Sequence, residues 1–392
     1  MMEDYVIITH TDCDGILSAA QLRSALGQKV PVFFPEWVEY GVSTKLLENV
    51  PPCKHLFVCD MGLDAKSVET LSRRRSKFKE ITVIDHHPHE EESRKKLEEA
   101  GIEVIYDDEY CASGLVHLYL RKKKLIKKGD FAEKWAIIGT YADVLITKEK
   151  SALMVSEMLL RHPELSLEQV FWGGSSRGEY EYPLPSMLGA VINSGHRLHY
   201  HFGAAVALEA AREIEDYGDV FLLRSDFGNE HLEARYPHTF MLTKWYDLWL
   251  SERKKVFEKE NIEYYKFKVG SFPFGVAIID HPWDIGGYVS TVKSGDTLIV
   301  FTINYGTPKK AKISVRKPSA DSKKIGDVIR RLHLGEIMRN LSHMNPVFEG
   351  GGHQEAGSCT FPKEFKPTQV IRLLKLATKI TIDRTFPEIS PS

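Results

Sequence analysis

The chain has few cysteines, no long apolar run and no excess of charge of either sign. Its five cysteines form no CxxC pair and are too sparse for a disulfide framework in 392 residues. Sparse, scattered thiols favour a reducing compartment, so we expect a cytoplasmic protein. The formal net charge of -2 argues against a generally basic nucleic-acid binder. Any contact with nucleic acid is therefore expected to be local.

Membrane and targeting signals are also lacking. No segment approaches the roughly 18 apolar residues that a membrane-spanning helix needs. The sequence runs from Met-Met-Glu-Asp directly into an apolar segment, without a basic leader or a small-residue cleavage site. We therefore expect no membrane partner.

The hydrophobic content of 43% and the charged content of 27% are typical of a soluble globular protein, and the length predicts more than one folded unit. Short β-branched runs alternate with helical patterns over the first 110 residues, which predicts a parallel sheet wrapped by helices. A second alternating region follows a long helical stretch. The prediction is an α/β fold with three parts: a catalytic domain over 1–165, a helical connector over 166–262, and a smaller substrate-binding domain with a mixed sheet over 263–392.

Three apolar segments of the first part are each followed directly by aspartate or histidine residues. The residues that follow them are His10-Thr11-Asp12-Cys13-Asp14-Gly15, Asp60, and Asp85-His86-His87. The carboxyl ends of parallel strands meet at one edge of a sheet, where open α/β folds gather their sites. Carboxylate and imidazole are ligands of divalent metals. The three strand ends therefore predict one metal centre.

Other roles are open for these residues when each is taken alone. If the first motif stays extended, His10, Asp12 and Asp14 point to one side, and Gly15 lets the chain turn into a helix that begins at Ile16. Asp12 or Asp14 could instead cap that helix, and Asp60 could be a turn residue. Two adjacent histidines after a buried strand are harder to attribute to packing.

Further motifs extend the pattern along the chain. They are Gly139-Thr140-Tyr141-Ala142-Asp143, Ser314-Val315-Arg316, and Gly350-Gly351-Gly352-His353 followed by Ala356-Gly357. In this order the motifs resemble the DHH phosphoesterase superfamily, in which a DHH domain precedes a DHH-associated domain. The spacing His-x-Asp-x-Asp-Gly resembles its RecJ-like exonuclease and nano-RNase branch.

The resemblance implies a centre of two divalent cations, with Mn²⁺ preferred and Mg²⁺, Co²⁺ and Zn²⁺ as alternatives. It implies that His10 and Asp12 hold one cation and that Asp60 bridges to the other. The ligands that it implies for that second cation are Asp14, His86 and Asp143. His87 would act as general acid or as a donor to the phosphate, and Asp85 would orient a ligand.

The resemblance also implies a substrate-binding surface in the last part of the chain. An arginine can grip a phosphate with two parallel hydrogen bonds, and glycines let the backbone approach a phosphate closely. A flexible loop is the alternative explanation for the glycine run. The residues implied are Ser314, Arg316, Gly350, Gly351, Gly352 and His353.

The expected function is a manganese-dependent exonuclease that hydrolyses single-stranded RNA or DNA, including short oligonucleotides, to mononucleotides. A cyclic dinucleotide or nucleoside bisphosphate phosphodiesterase is an alternative. An inactive scaffold associated with replication is a third, although every matched ligand position is intact; replication or repair factors are candidate protein partners. Trp245 and Trp249, four residues apart, are predicted to be core residues, and Asp280-His281-Pro282 is interpreted as a turn.

Overall fold

The computed structural model describes residues 3–387 except 37–40, 89–90, 176–177, 225–229, 259–261, 293–296, 318–325, 353 and 355. The chain folds into two compact units, Met1–Leu250 and Ser251–Ser392. The division predicted at 165 and 262 is finer than this one and stays a prediction.

The first unit contains a five-stranded sheet in the order β2-β1-β3-β4-β5, and all of its neighbouring strands are parallel. Both faces of the sheet are covered, which explains why its central strands are continuous apolar runs rather than alternating ones. Alternate residues such as Val6 and Ile8 belong to a core that also includes Leu46 and Val68 from the helices on one face. The strands are β1 (Glu3–Thr9), β2 (Val32–Phe33), β3 (Cys53–Cys59), β4 (Phe78–Asp85) and β5 (Glu103–Tyr106).

Helices connect and follow these strands, as the alternation predicts. The helices described up to residue 159 are α1 (Cys13–Leu26), α2 (Thr44–Asn49), α3 (Ala65–Arg74), α4 (Glu91–Glu99), α5 (Ala112–Lys122), α6 (Ala132–Ala142) and α7 (Glu149–Leu159). The start predicted for α1 at Ile16 is wrong by three residues. Asp12 adopts an extended conformation and its side chain accepts a hydrogen bond from the backbone NH of Gly15, so the helix begins at Cys13.

The middle of the chain is mainly helical, as predicted, but a hairpin precedes the helices. β6 (Glu168–Ser175) and β7 (Gly178–Pro183) pair antiparallel within the segment predicted to be a helical connector. The helices are α8 (Leu184–Tyr217), α9 (Glu230–Arg235) and α10 (Pro237–Glu258). α8 is kinked at Tyr200, which has φ 49° and ψ -121°.

The second unit is built on a six-stranded mixed sheet in the order β12-β13-β11-β10-β9-β8. β9 and β10 are parallel, and the remaining pairs are antiparallel. This confirms the predicted smaller domain with a mixed sheet. Its strands are β8 (Glu263–Val269), β9 (Phe272–Ile279), β10 (Ile299–Asn304), β11 (Ala311–Arg316), β12 (Glu349–Gly352) and β13 (Ala356–Phe361), and its helices are α11 (Gly286–Val292), α12 (Gly326–Arg331), α13 (Leu334–Met344) and α14 (Pro367–Thr385).

None of the helices in the described part of the chain combines the length and the apolar composition that crossing a bilayer requires.

A buried ion pair joins the helices that close the first unit. The Glu133 side chain on α6 is fully buried and accepts two hydrogen bonds from Arg161, from Nε at 2.8 Å and from Nη2 at 2.9 Å. The same carboxylate accepts the backbone NH of Gly129 at 2.9 Å. Although burial opposes the shift, Arg161 and Gly129 lower the pKa of Glu133. The group is therefore ionised and fixes the loop before α6 against the end of α7.

Replacing Glu133 with alanine should destabilise the first unit by about 3 kcal/mol, because Arg161 and the NH of Gly129 would lose a buried partner. Urea unfolding followed by circular dichroism measures this change. Glu157 also lies 3.5 Å from Arg161 but is exposed, so Glu157→Ala should leave the free energy of unfolding nearly unchanged. Equal costs for the two variants would contradict the structural role of Glu133.

Candidate metal centre

The three strand ends meet at one edge of the first sheet. β1, β3 and β4 are parallel neighbours, so the residues that follow them lie side by side. Asp60 directly follows β3, and its backbone NH bonds the carbonyl of Ile84 in β4 at 3.0 Å. Backbone pairing therefore continues past the end of β3 and holds Asp60 beside Asp85 and His86.

One group of ligand atoms consists of His10, Asp12 and Asp60. His10 Nδ1 lies 2.9 Å from Asp12 Oδ2 and 3.9 Å from Asp60 Oδ2. One nitrogen or oxygen atom from each residue lies within 4.8 Å of the others, so the three could hold a metal ion.

A second group consists of Asp14, His86 and Asp143. His86 Nε2 lies 3.7 Å from Asp14 Oδ2 and 3.6 Å from Asp143 Oδ2. Asp143 comes from the C-terminal end of α6, far along the chain from the other two. These ligand atoms also lie within 4.8 Å of one another.

Asp60 reaches both groups. Its Oδ1 lies 3.3 Å from His86 Nε2, while its Oδ2 faces His10. Asp60 has φ 56°, in the left-handed region that aspartate tolerates better than most residues. The turn explanation is thus correct for its backbone, and the same turn directs the carboxylate into the centre. The bridging role implied by the resemblance stays a prediction that this geometry favours.

Asp12 and Asp14 each cap a helix as well as facing the centre. Asp12 Oδ1 accepts the NH of Gly15 at 3.1 Å at the start of α1. Asp14 accepts the NH groups of Ala112 at 2.6 Å and Ser113 at 2.9 Å at the start of α5. The first motif does not stay extended, because Asp14 lies inside α1. His10 and Asp12 therefore belong to one ligand group and Asp14 to the other.

Two glycines allow this close packing. A Cβ on Gly15 would overlap the carbonyl oxygen of His10, so Gly15 is needed for close approach rather than for a turn. A Cβ on Gly139 in α6 would lie 2.9 Å from Asp14 Oδ1 and would overlap the side chain of Ser113.

The two histidines of the third motif differ in environment. His86 is buried, and burial together with the neighbouring His87 lowers its pKa to about 4, so its ring is neutral and able to bind a cation. His87 is partly exposed, and its Nδ1 lies 2.8 Å from Asp85 Oδ1. Burial would lower the pKa of His87, but Asp85 outweighs it and raises the pKa to about 9. Asp85, which is fully buried, orients His87.

The donor set fits divalent cations. Burial, together with the charges of Asp12, Asp14 and Asp143, raises the pKa of Asp60 well above its usual range. Carboxylates crowded in this way need a positive partner, and a bound cation reverses the local preference for the neutral acid. Mixed oxygen and imidazole ligands suit Mn²⁺, Zn²⁺ and Co²⁺. His87 also lies near enough to Asp60 and His86 to be an alternative ligand.

α8 brings further residues to this centre that the sequence motifs did not identify. Asn193 Oδ1 accepts the backbone NH of Cys13 at 2.8 Å. Although burial opposes the shift, His10 and, to a smaller extent, His196 hold the pKa of Asp12 well below its usual range. Arg197 stacks on Trp249 at 4.5 Å. In the sequence, the polar segment 193–201 within an otherwise apolar helix could have indicated that α8 contributes to a site.

The second unit places Ser314 and Arg316 on β11 beside α11. Ser314 is buried and Arg316 is exposed. A Cβ on Gly286 would lie 2.9 Å from Ser314 Oγ, and one on Gly287 would lie 3.0 Å from Arg316 Nε. This glycine pair, which belongs to none of the sequence motifs, therefore makes room for both side chains.

The glycine run is a strand, so the loop explanation is wrong for Gly350, Gly351 and Gly352. They form β12, which pairs with β13, and Gly352 is opposite Gly357. Val315 of β11 is also opposite Gly357, so Arg316 and Gly352 approach the same end of the sheet. A Cβ on Gly350 would lie 2.8 Å from Cys359 Cβ. His353 lies outside the described residues.

The two remaining expectations have different outcomes. The backbone NH of His281 is bonded to Asn304 Oδ1 at 3.0 Å, which fixes the turn predicted there. Trp249 is a core residue as predicted. Trp245 is only partly buried, so its assignment to the core is wrong.

Comparisons with known proteins agree with this architecture. Residues 4–147 match the model of the DHH family, N-terminal domain. This part of the chain is therefore similar to the N-terminal domain of the DHH family. A search of curated proteins finds no match to this sequence.

Solved structures with this fold include a DHH-domain protein described as a member of a family of ribosomal proteins, with 15% identity, a TM-score of 0.61, and coverage of 96% of this chain and 87% of that one. Exonuclease RecJ bound to manganese has 18% identity and a TM-score of 0.56, with coverage of 96% and 90%. RecJ from Thermus thermophilus in complex with Mn²⁺ has 15% identity and a TM-score of 0.54, with coverage of 100% of this chain and 57% of that one. These likenesses establish a shared RecJ-like fold.

Replacing Gly139 with alanine should lower the affinity for Mn²⁺ about 10- to 100-fold, because the new methyl group displaces Asp14. Calorimetric titration of the metal-free protein measures this affinity. Gly114→Ala is the matched control, since the one tight contact of its Cβ would be with the flexible end of Met154 at 3.1 Å. Unchanged metal affinity in Gly139→Ala would remove Asp14 from the ligand set.

Proposed function

We propose that this protein is a manganese-dependent phosphodiesterase that hydrolyses single-stranded RNA or DNA, including short oligonucleotides, to mononucleotides by a two-metal mechanism. The observation that carries the proposal is the pair of ligand groups on either side of Asp60, each with carboxylate and imidazole donors. The manganese bound in the similar RecJ structures supports the choice of metal.

The proposed ligands divide as the geometry suggests. His10 and Asp12 would hold one cation, Asp14, His86 and Asp143 would hold the other, and Asp60 would be shared by both. When bound, two such cations polarise a phosphate, lower the pKa of an attacking water and stabilise the charge of the transition state. The chain contributes the fixed positions: backbone NH groups of α1 and α5 hold Asp12 and Asp14 in place.

His87 is the proposed proton donor. Its Nδ1 is bonded to Asp85, which orients the ring and leaves Nε2 to donate to the phosphate or to the leaving oxygen. Asp85 therefore acts through His87 rather than on the substrate.

Arg316 is proposed to bind a phosphate of the substrate, together with Ser314, the glycine strand and His353. The Arg316 side chain packs beside Gly287 and is exposed. Its guanidinium NH groups are therefore accessible to a phosphate. No displacement of the metal ligands is expected when this residue changes.

Asp60→Ala should reduce manganese-dependent hydrolysis of a labelled oligonucleotide about 1,000-fold or more, because several kcal/mol of transition-state stabilisation depend on the shared ligand. Initial rates on a 5′-labelled strand measure the loss. Asp64→Asn is the matched control: Asp64 caps α3 four residues further on, and asparagine caps helices equally well. Full activity in Asp60→Ala would remove the bridging role and the site with it.

Arg316→Ala should raise KM about 10- to 100-fold through the loss of a charge-assisted phosphate contact, while the affinity for Mn²⁺ stays unchanged. Steady-state kinetics and calorimetry report the two quantities separately. Lys310→Ala, which removes a cation paired with Glu349 elsewhere on the same sheet, should leave both unchanged. A parallel loss of metal affinity in Arg316→Ala would contradict the assignment.

The substrate class follows from one panel of RNA and DNA strands of graded length, labelled at either end, with a cyclic dinucleotide and a nucleoside bisphosphate alongside. Release of mononucleotides from linear strands supports the exonuclease. Turnover of only the cyclic or bisphosphate compounds would replace it with the alternative phosphodiesterase, and no turnover at all would leave the inactive scaffold.

A further inference from the structure

Three rings form an exposed cluster where α8 meets α10. The ring centroid of His199 lies 4.3 Å from that of Trp245, and the centroid of Phe202 lies 6.1 Å from that of Trp245. Phe202 is 62% exposed, and His199 is exposed as well. Exposed aromatic clusters of this kind mark interaction sites. We call His199, Phe202 and Trp245 the aromatic platform.

The aromatic platform is connected directly to the metal centre through α8. Asn193 contacts the backbone of Cys13 beside Asp12, and His199 follows six residues later in the same helix. Six residues of helix span about 9 Å. A strand whose scissile phosphate lies at the metals and which runs along α8 would therefore meet the platform with a later nucleotide.

The charge of α8 beside the platform fits a nucleic acid. Residues 184–208, which include most of α8, contain no aspartate or glutamate and one arginine, Arg197. A phosphate backbone meets no like charge along this segment. On α10, Lys244 is exposed and is paired with Glu233 on α9.

A groove of about 290 Å³ adjoins the platform on the side of Trp245. Its lining is mostly apolar, which suits the flat face of a base rather than a phosphate. The lining residues are Glu233, Pro237, Phe240, Met241, Lys244 and Trp245.

We propose that the aromatic platform stacks unpaired bases of a single-stranded nucleic acid whose end lies in the metal centre. This inference rests on the proposed function and extends it, because it assigns to the first unit a site for bases beyond the one being removed. Stacking on aromatic rings is tolerant of sequence, so the platform favours longer strands without selecting particular bases.

The test compares an octanucleotide with a dinucleotide as substrates. Phe202→Ala and Trp245→Ala should each weaken octanucleotide affinity, measured with Ca²⁺ in place of Mn²⁺, about 10-fold. Hydrolysis of the dinucleotide, which is too short to reach the platform, should be unchanged. Trp245→Phe should retain most of the affinity, and Tyr265→Ala, which removes an exposed ring from β8, should have no effect.

A second readout depends on stacking itself. Binding of the octanucleotide should quench tryptophan fluorescence in the wild-type chain, and Trp245→Phe should lose that quenching while it still binds. An abasic nucleotide, moved step by step along the strand, should weaken wild-type binding at the stacked position and have no further effect in Trp245→Ala.

The outcomes separate the two proposals. If the wild-type chain cleaves oligonucleotides and the platform variants bind the octanucleotide normally, the platform is rejected and the proposed function stands. If the wild-type chain cleaves no strand, the proposed function is rejected. A change from dimer to monomer in Phe202→Ala and Trp245→Ala, measured by light scattering, would make the surface an interface between copies and overturn the stacking proposal.

Discussion

Four aspartate side chains converge at the carboxyl edge of the first sheet, and their mutual repulsion is the constraint that the surrounding structure must satisfy. Asp14 is held by two NH groups at the start of α5, and Asp12 by one at the start of α1. The positive ends of these helices offset part of the negative charge. The remaining repulsion between the carboxylates raises the pKa of Asp60. Divalent cations are suited to offset this repulsion.

The sequence predicted the first sheet and the meeting of its three strand ends, because both depend on local patterns. Apolar runs bounded by polar residues identify strands, and parallel strands necessarily bring their carboxyl ends together. Asp60 and His86 could therefore be placed near each other without a structure. The sequence could not predict which residues of the first motif belong to which ligand group. That division depends on Asp14 lying inside α1 and accepting hydrogen bonds from the start of α5, almost 100 residues away.

Features that depend on contacts between distant segments escaped prediction. The run from Gly350 to Gly352 resembles a loop by composition, but it pairs with β13 as a strand, and β13 and α13 leave no room for a side chain at Gly350. Trp245 and Trp249 share a helical spacing that predicts burial for both, yet only Trp249 is enclosed. The residues of α8 near the metal centre form no motif with those of β1, because the fold alone brings them together.

The two oxygens of Asp12 have separate tasks: Oδ1 holds the start of α1, and Oδ2 faces His10. An asparagine at this position would keep an oxygen for the helix while removing the negative charge from the centre. Replacing Asp12 Oδ2 with a nitrogen would thus change the charge of the centre without removing the helix cap. A single conservative change at Asp12 would therefore alter the charge of the centre and leave the same architecture available for another use.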